Sequence, residues 1–224
     1  MKTLLITRDL TNDSPINTLA SKNVKVEGKS FIQFEQVDFD TWSHQADWVF
    51  FYSKNGVKFS FNNRTFLQFC QTRKIGTYGQ MTADFIHQHS GIVPDFIGDG
   101  KRDTTLLNYL KQLPDQTLFV QGDRSLKALQ SNPGFDLPYS EVITYRSLPL
   151  HHRLHTPSDI IVFTSPLNVE YYTQHIDLLP TQSLWAIGDT TATALRQKTD
   201  SKINVASNPS EEILAREIAA SLKT

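Results

Sequence analysis

The segment VFFYSKNGV at Val49–Val57 recurs as VFTSPLNVE at Val162–Glu170, and this repetition constrains the fold more than any other feature of the chain. Aligned on the serine, Ser53 matches Ser165, 112 residues later. A second pair follows: TYGQMTADFI (Thr77–Ile86) against AIGDTTATAL (Ala186–Leu195), which matches Thr82 with Thr191 at an offset of 109. A weaker third pair, Ile97–Leu110 against Val205–Ile218, has an offset of 108. A period of about 110 residues is too long for a solenoid unit and has the size of a small domain. The chain therefore reads as two copies of one α/β unit facing each other, with the ligand expected between them.

The middle of the chain supplies five apolar strand candidates: Trp48–Ser53, Ile75–Gly79, Asp95–Gly98, Thr117–Gly122 and Glu141–Tyr145. Helical patterns at Val57–Cys70, Thr82–His89, Asp103–Leu113 and Ser125–Gln130 separate them. Such alternation predicts βαβ units and a parallel sheet. The C-terminal part supplies only three strands, at Ile160–Thr164, Leu184–Gly188 and Ile203–Ala206. Its helices are predicted at Leu167–His175, Thr190–Gln197 and Glu211–Leu222. Two spare strands, Thr3–Thr7 and one near Val24–Val26, flank a short helix around Ile16–Lys22 and would complete that sheet. The expected division is a discontinuous domain, 1–31 plus 148–224, with a second domain, 36–144, inserted into it. The crossings fall near 30–37 and 141–147, where two extended segments are suited to pair as a ribbon.

Net charge is −1, with no run of basic residues, so neither nucleic acid nor an anionic membrane is an expected partner. The single cysteine, Cys70, excludes an internal disulfide, lies in the apolar stretch FLQFC and reads as a core thiol. No apolar run reaches the ~18 residues of a membrane span, and the N-terminus is too short in apolar residues for a signal peptide. A cytoplasmic monomer is the expectation.

Ligands of parallel α/β sheets bind beyond the carboxyl ends of the strands. Ser53, Ser165, Thr82, Thr190 and Thr191 all fall there, where a strand hands over to a helix. A hydroxyl at such a place is an ordinary helix cap, but its recurrence in both halves, beside Gly56, Gly79 and Gly188, suggests anion-binding turns. None of these turns is GxGxxG or GxxxxGK[ST], so dinucleotide and P-loop chemistry are not expected. His151, His152 and His155 cluster in a tract read as a loop, without thiol or carboxylate partners that would make a metal site. There is no GxSxG elbow. Asp95, Asp99 and Asp103 read as turn and cap residues. Tyr145 ends a crossing segment, and a tyrosine there can donate to a leaving oxygen.

Taken together these segments resemble the uroporphyrinogen-III synthase family over nearly the whole chain. The resemblance rests on LLITR ending at Arg8, the strand-end serines of FFYS and VFTSPLNV, IGDTTA at Ile187–Ala192, GQMTA at Gly79–Ala83, VITY at Val142–Tyr145 and PSEEIL at Pro209–Leu214. It departs at Tyr52, where the family commonly has Thr, and at SFIQF, which lacks the usual proline. The resemblance implies an α/β fold of two similar parallel-sheet, flavodoxin-like domains joined by a two-stranded linker. It implies a cyclising lyase that acts on the linear tetrapyrrole hydroxymethylbilane. The enzyme removes the terminal hydroxyl as water, inverts the last pyrrole ring through azafulvene and spiro intermediates, and closes the macrocycle. No metal or organic cofactor is implied, and a transient contact with the enzyme that makes hydroxymethylbilane is left open. The site residues carried over are Tyr145 for the chemistry and Ser53, Thr82, Ser165, Thr190, Thr191 and Arg8 for substrate binding. A competing reading is a non-catalytic two-lobed binding or tetrapyrrole-sensing protein.

Overall fold

A computed structural model of the chain describes residues 1–40, 45–152 and 157–222. The chain divides into two compact units, Met1–Gln33 with Leu148–Thr224 (unit 1) and Phe34–Ser147 (unit 2). The strands are β1 (Lys2–Ile6), β2 (Val24–Gly28), β3 (Ile32–Gln36), β4 (Trp48–Phe51), β5 (Lys74–Thr77), β6 (Phe96–Ile97), β7 (Thr117–Gly122), β8 (Tyr139–Pro149), β9 (Ile160–Phe163), β10 (Ser183–Ala186) and β11 (Ile203–Val205). The α-helices are α1 (Lys54–Phe61), α2 (Arg64–Cys70), α3 (Gln80–Ser90), α4 (Arg102–Leu110), α5 (Pro166–Thr173), α6 (Asp189–Arg196) and α7 (Glu211–Ser221). The segment Pro15–Lys22 is a 3₁₀ helix.

The sheet of unit 1 runs β11-β10-β9-β1-β2 with every neighbouring pair parallel. The other sheet runs β3-β8-β7-β4-β5-β6. Its pairs β7·β8, β4·β7, β4·β5 and β5·β6 are parallel. β3 is a sixth strand at the edge, beyond the five expected.

The central strands explain the repeat. β9 (IIVF) is buried on both faces: Ile160 and Val162 point into one core cluster, Ile161 and Phe163 into the other. β4 (WVFF) does the same, with Val49 and Phe51 on one side and Trp48 and Phe50 on the other. A parallel strand covered by helices on both faces needs a continuous apolar run, and this is the signal that survives in both copies. β4, β5 and β6 in one sheet take the places of β9, β10 and β11 in the other. The remaining two places are filled differently. In unit 2 β7 and β8 follow the repeat; in unit 1 β1 and β2 precede it. Counted in chain order, and leaving out the edge strand β3, unit 1 therefore has the order 2-1-3-4-5 and unit 2 the order 3-2-1-4-5. Both are doubly wound arrangements.

Two helix expectations need correction. The pattern over Val57–Cys70 is broken at Asn62–Asn63, where the Asn63 side chain accepts from Phe66 N (3.1 Å) and starts a second helix. Ser125–Gln130 is no helix. Ser125 Oγ accepts from Lys127 N (3.2 Å), Lys127 takes a positive φ of 49°, and Leu126 is 89% exposed. The Arg102 guanidinium then takes the carbonyls of Ala128 (3.0 Å) and Ser131 (2.8 Å).

Candidate active site

The two repeated serines cap their helices in the same way. Ser53 has φ/ψ −152°/159° and its Oγ accepts from Gly56 N at 3.1 Å. Ser165 has φ/ψ −160°/156° and accepts from Asn168 N at 3.2 Å. Each satisfies one of the free amides of a helix start. The second pair of turns differs from the expectation of hydroxyl caps. There the cap is glycine, Gly79 before α3 and Gly188 before α6, and neither helix receives a side-chain cap bond. Thr82 and Thr191 sit at the third helical position, 7% and 2% exposed. Neither hydroxyl makes a hydrogen bond among the described residues. Thr190 is exposed one position earlier. These turns thus keep open amides and idle hydroxyls at the carboxyl edge of each sheet, a combination suited to carboxylates.

Tyr145 is positioned by a slip in register. Along β7·β8 the partners are Val120↔Val142 and Gln121↔Ile143, then Gly122↔Tyr145. The one-residue bulge re-aims the side chain, a device common beside functional sites. The phenol oxygen lies 3.2 Å from Ser53 Oγ. The ring stacks on Phe59 (5.4 Å, 25°) and meets Phe34 edge-on (5.5 Å, 81°). It occupies the space left by Gly122: a Cβ there would come within 2.4 Å of the ring carbon Cζ. Burial pushes the Tyr145 pKa up, the Ser53 hydrogen bond opposes this, and the Asp123 carboxylate adds to the rise. Asp123 is itself tied to the strand, accepting from Ser147 N at 2.9 Å.

Arg8 is occupied within unit 1. Its guanidinium pairs with the Glu211 carboxylate and reaches Ser14 Oγ at 3.4 Å, while Glu211 also accepts from Ile16 N (3.1 Å). It ties the β1 turn to the start of α7. His152 sets Nε2 against Ser30 O at 2.7 Å with its ring edge-on to Phe31, and His151 meets the ring of His175 at 3.9 Å. His155 lies outside the described residues. Tyr52, the departure noted above, is also structural. Its hydroxyl accepts from Leu129 N (3.0 Å) and donates to Gln130 Oε1, and burial raises its pKa.

Two contributors escape a reading of the sequence. Gly122 ends an apolar strand, and a glycine there is a known mark of close approach. Asn168 occupies the third position of α5 and is 4% exposed. Its Oδ1 accepts from Phe31 N (2.9 Å) and its Nδ2 donates to Ser165 Oγ (3.1 Å). Its aligned counterpart in the other copy is Gly56.

The fold and these turns define a duplicated parallel-sheet α/β protein with polar helix starts at the carboxyl edge of each sheet. The family model for uroporphyrinogen-III synthase HemD matches residues 20–216, and the chain belongs to the uroporphyrinogen-III synthase family. No curated protein sequence matches. Among solved structures, the uroporphyrinogen-III synthetase of Helicobacter pylori 26695 is similar at a TM-score of 0.72 and 17% identity, covering 99% of this chain and 100% of that one. A mutant uroporphyrinogen III synthase from the extremely thermophilic bacterium Thermus thermophilus is similar at a TM-score of 0.58 and 16% identity, covering all of both chains. At these identities the structures speak for the fold, and the family model carries the membership.

Proposed function

We propose that this chain closes hydroxymethylbilane into uroporphyrinogen III, with Tyr145 assisting loss of the terminal hydroxyl. Family membership supports the reaction: a cyclising lyase step of porphyrin and heme biosynthesis. The observation that carries the residue assignment is the Tyr145 phenol, half-buried, bonded to Ser53 and seated over Gly122.

The raised pKa supports one role for Tyr145. A phenol pushed above its ordinary value stays protonated at neutral pH and is a weaker acid, so it serves as a neutral hydrogen-bond donor to the departing oxygen. As the C–O bond breaks, the departing oxygen takes up a proton and leaves as water, and the ring that bore the hydroxymethyl group becomes an azafulvene cation. The substituted carbon of the last ring bonds to it and, carrying no hydrogen, gives the spiro intermediate. This opens, and the unsubstituted carbon of the same ring recloses and loses the proton that balances the one taken up by the leaving group. Ring closure without an enzyme is already facile, so the gain lies in folding the chain so that the substituted carbon of the last ring is attacked. Holding eight carboxylates serves that purpose. The open amides at Gly79 and Gly188, with Thr82, Thr190 and Thr191, and the serines 53 and 165 are the groups we assign to them. Arg8 acts through its pairing with Glu211, bracing the turn.

The stretches near 30–37 and 141–147 serve, in this reading, as a two-stranded linker. The chain works as a cytoplasmic monomer that receives its unstable substrate in a transient encounter with the enzyme that makes it.

The test is product analysis. Freshly prepared hydroxymethylbilane is added, the products are oxidised to porphyrins, and the isomers are separated. Predominantly isomer III supports the reading; isomer I alone, as without enzyme, refutes it.

A further inference from the structure

Asn168 holds Ser165 in one hydrogen-bonding state. The amide orientation follows from its partners. Phe31 N is a donor, so the atom 2.9 Å from it is the acceptor Oδ1, and Nδ2 must face Ser165 Oγ at 3.1 Å. The backbone N of Asn168 donates to the same Oγ at 3.2 Å. Ser165 Oγ thus accepts two hydrogen bonds, which fills both lone pairs, and its own proton finds no acceptor among the described residues. The side chain is partly exposed. The other copy lacks this arrangement: Gly56 has no side chain, and Ser53 shares its second contact with the Tyr145 phenol.

We propose that Asn168 is a positioning residue that turns Ser165 into an outward-facing donor for one substrate carboxylate. Resting on the reading of function above, it assigns this serine to binding and not to chemistry. Asn168 also anchors Phe31, whose buried ring packs edge-on against Tyr172 (4.9 Å), so the amide is fixed from both ends.

Asn168→Asp tests this. A carboxylate of the same shape still accepts from Phe31 N and is favoured in the first turn of a helix, so the fold is kept. Its second oxygen accepts from Ser165, which draws the hydroxyl proton inward. The expected result is a rise of about tenfold in KM with kcat within about twofold, the loss of one hydrogen bond to a charged group. Ser165→Ala gives the same rise, and the double variant shows no more than either single one. Charge repulsion or distortion by the aspartate would instead multiply with the Ser165→Ala effect. Multiplying factors, or an unchanged KM in Asn168→Asp, overturn the proposal.

Affinity for uroporphyrin III, the oxidised eight-carboxylate product, is measured across the same series. A wild-type chain yielding only isomer I refutes the reading of function, while the affinities still decide the role of Asn168. Should Asn168→Asp fail to fold, Ser165→Ala decides alone: lost affinity supports the donor, unchanged affinity removes it.

Discussion

Ser53 and Ser165 occupy the same place in the two copies of the repeat, cap their helices with nearly the same backbone angles, and differ in what they touch next. Ser165 is saturated by one asparagine, through both its backbone and its side chain. Ser53 has a glycine at that position and a half-buried phenol across from it. A duplication that keeps its capping chemistry has thus diverged at the third helical position, with an asparagine side chain on the serine in unit 1 and a glycine beside a serine–phenol contact in unit 2. The backbone amides of the second turns, capped by Gly79 and Gly188, stayed alike. What the copies share is suited to holding carboxylates, and where they part is suited to one chemical step.

The sharpest way to break this comparison is Tyr145→Phe. The ring contacts with Phe59 and Phe34 remain, so folding is kept and only the donor is lost. Turnover is expected to fall about 10²-fold, the low end for a positioned proton donor, with KM little changed. A kcat equal to wild type would remove Tyr145 from the reaction. The pH profile sharpens the same point. Because the pKa of Tyr145 is raised, its donor form persists below and through pH 10, and kcat should show no alkaline fall until above that value. A fall near neutral pH would mean that another group donates.

Next comes Gly122→Ala. The added methyl meets the Tyr145 ring head-on. We expect a loss of about 1–3 kcal/mol in stability from overpacking, read by urea denaturation, and about a tenfold loss of rate from misalignment. In a Tyr145→Ala background the stability loss should shrink, since the clashing ring is gone. Equal losses in both backgrounds would mean that the glycine serves the strand and not the phenol.

How much of this was legible in the sequence depends on the range of the interaction. The strands β4 and β9 announce themselves because burial on both faces leaves a run of apolar residues, followed by a capping serine. The third repeat pair, though weak in letters, marks β6–α4 and β11–α7 correctly. The bulge that turns Tyr145 leaves no such trace, since β8 is half-buried and a one-residue slip does not disturb its composition. Asn168 is invisible as a site because its partner Phe31 lies 137 residues away. The Arg8–Glu211 pair is hidden for the same reason: nothing near Arg8 in the chain points to Glu211. The helix expected at Ser125–Gln130 failed because Lys127 takes a positive φ of 49° and gives its amide to Ser125 Oγ, which breaks the run in its middle.

A milder test compares the two caps themselves. Ser53→Ala and Ser165→Ala should each cost about 1 kcal/mol of stability, the usual value of a serine cap. Only the first should also lower kcat, since only Ser53 touches the phenol. Matching kinetic losses would erase the division of labour between the copies.

The smallest expected effect lies in the third turn of the repeat, where the copies again solve one problem in two ways. In unit 2 Asp99 accepts from Thr104 Oγ1 (2.5 Å), Thr105 Oγ1 (2.9 Å) and Lys101 N (2.9 Å). Its aligned counterpart in unit 1, Ser207, instead donates through its hydroxyl to the Glu217 carboxylate (2.5 Å), so the brace comes from the helix. The hydrogen bonds to Asp99, that of Thr104 first, hold its pKa at about 2, below the ordinary 3.8. The ionised form is therefore favoured in the folded state. Its contribution to stability is fully present above the ordinary carboxylate pKa and fades as pH falls from there through about 2. Asp99 is fully exposed, so solvent screens the effect. Asp99→Ala should accordingly show a modest and constant deficit in urea midpoint from pH 7 down to about 4 that narrows toward pH 2. A deficit that stays constant to pH 2 would mean that the turn is braced by shape alone, as a neutral side chain could do, and that the carboxylate at this position is not what distinguishes unit 2.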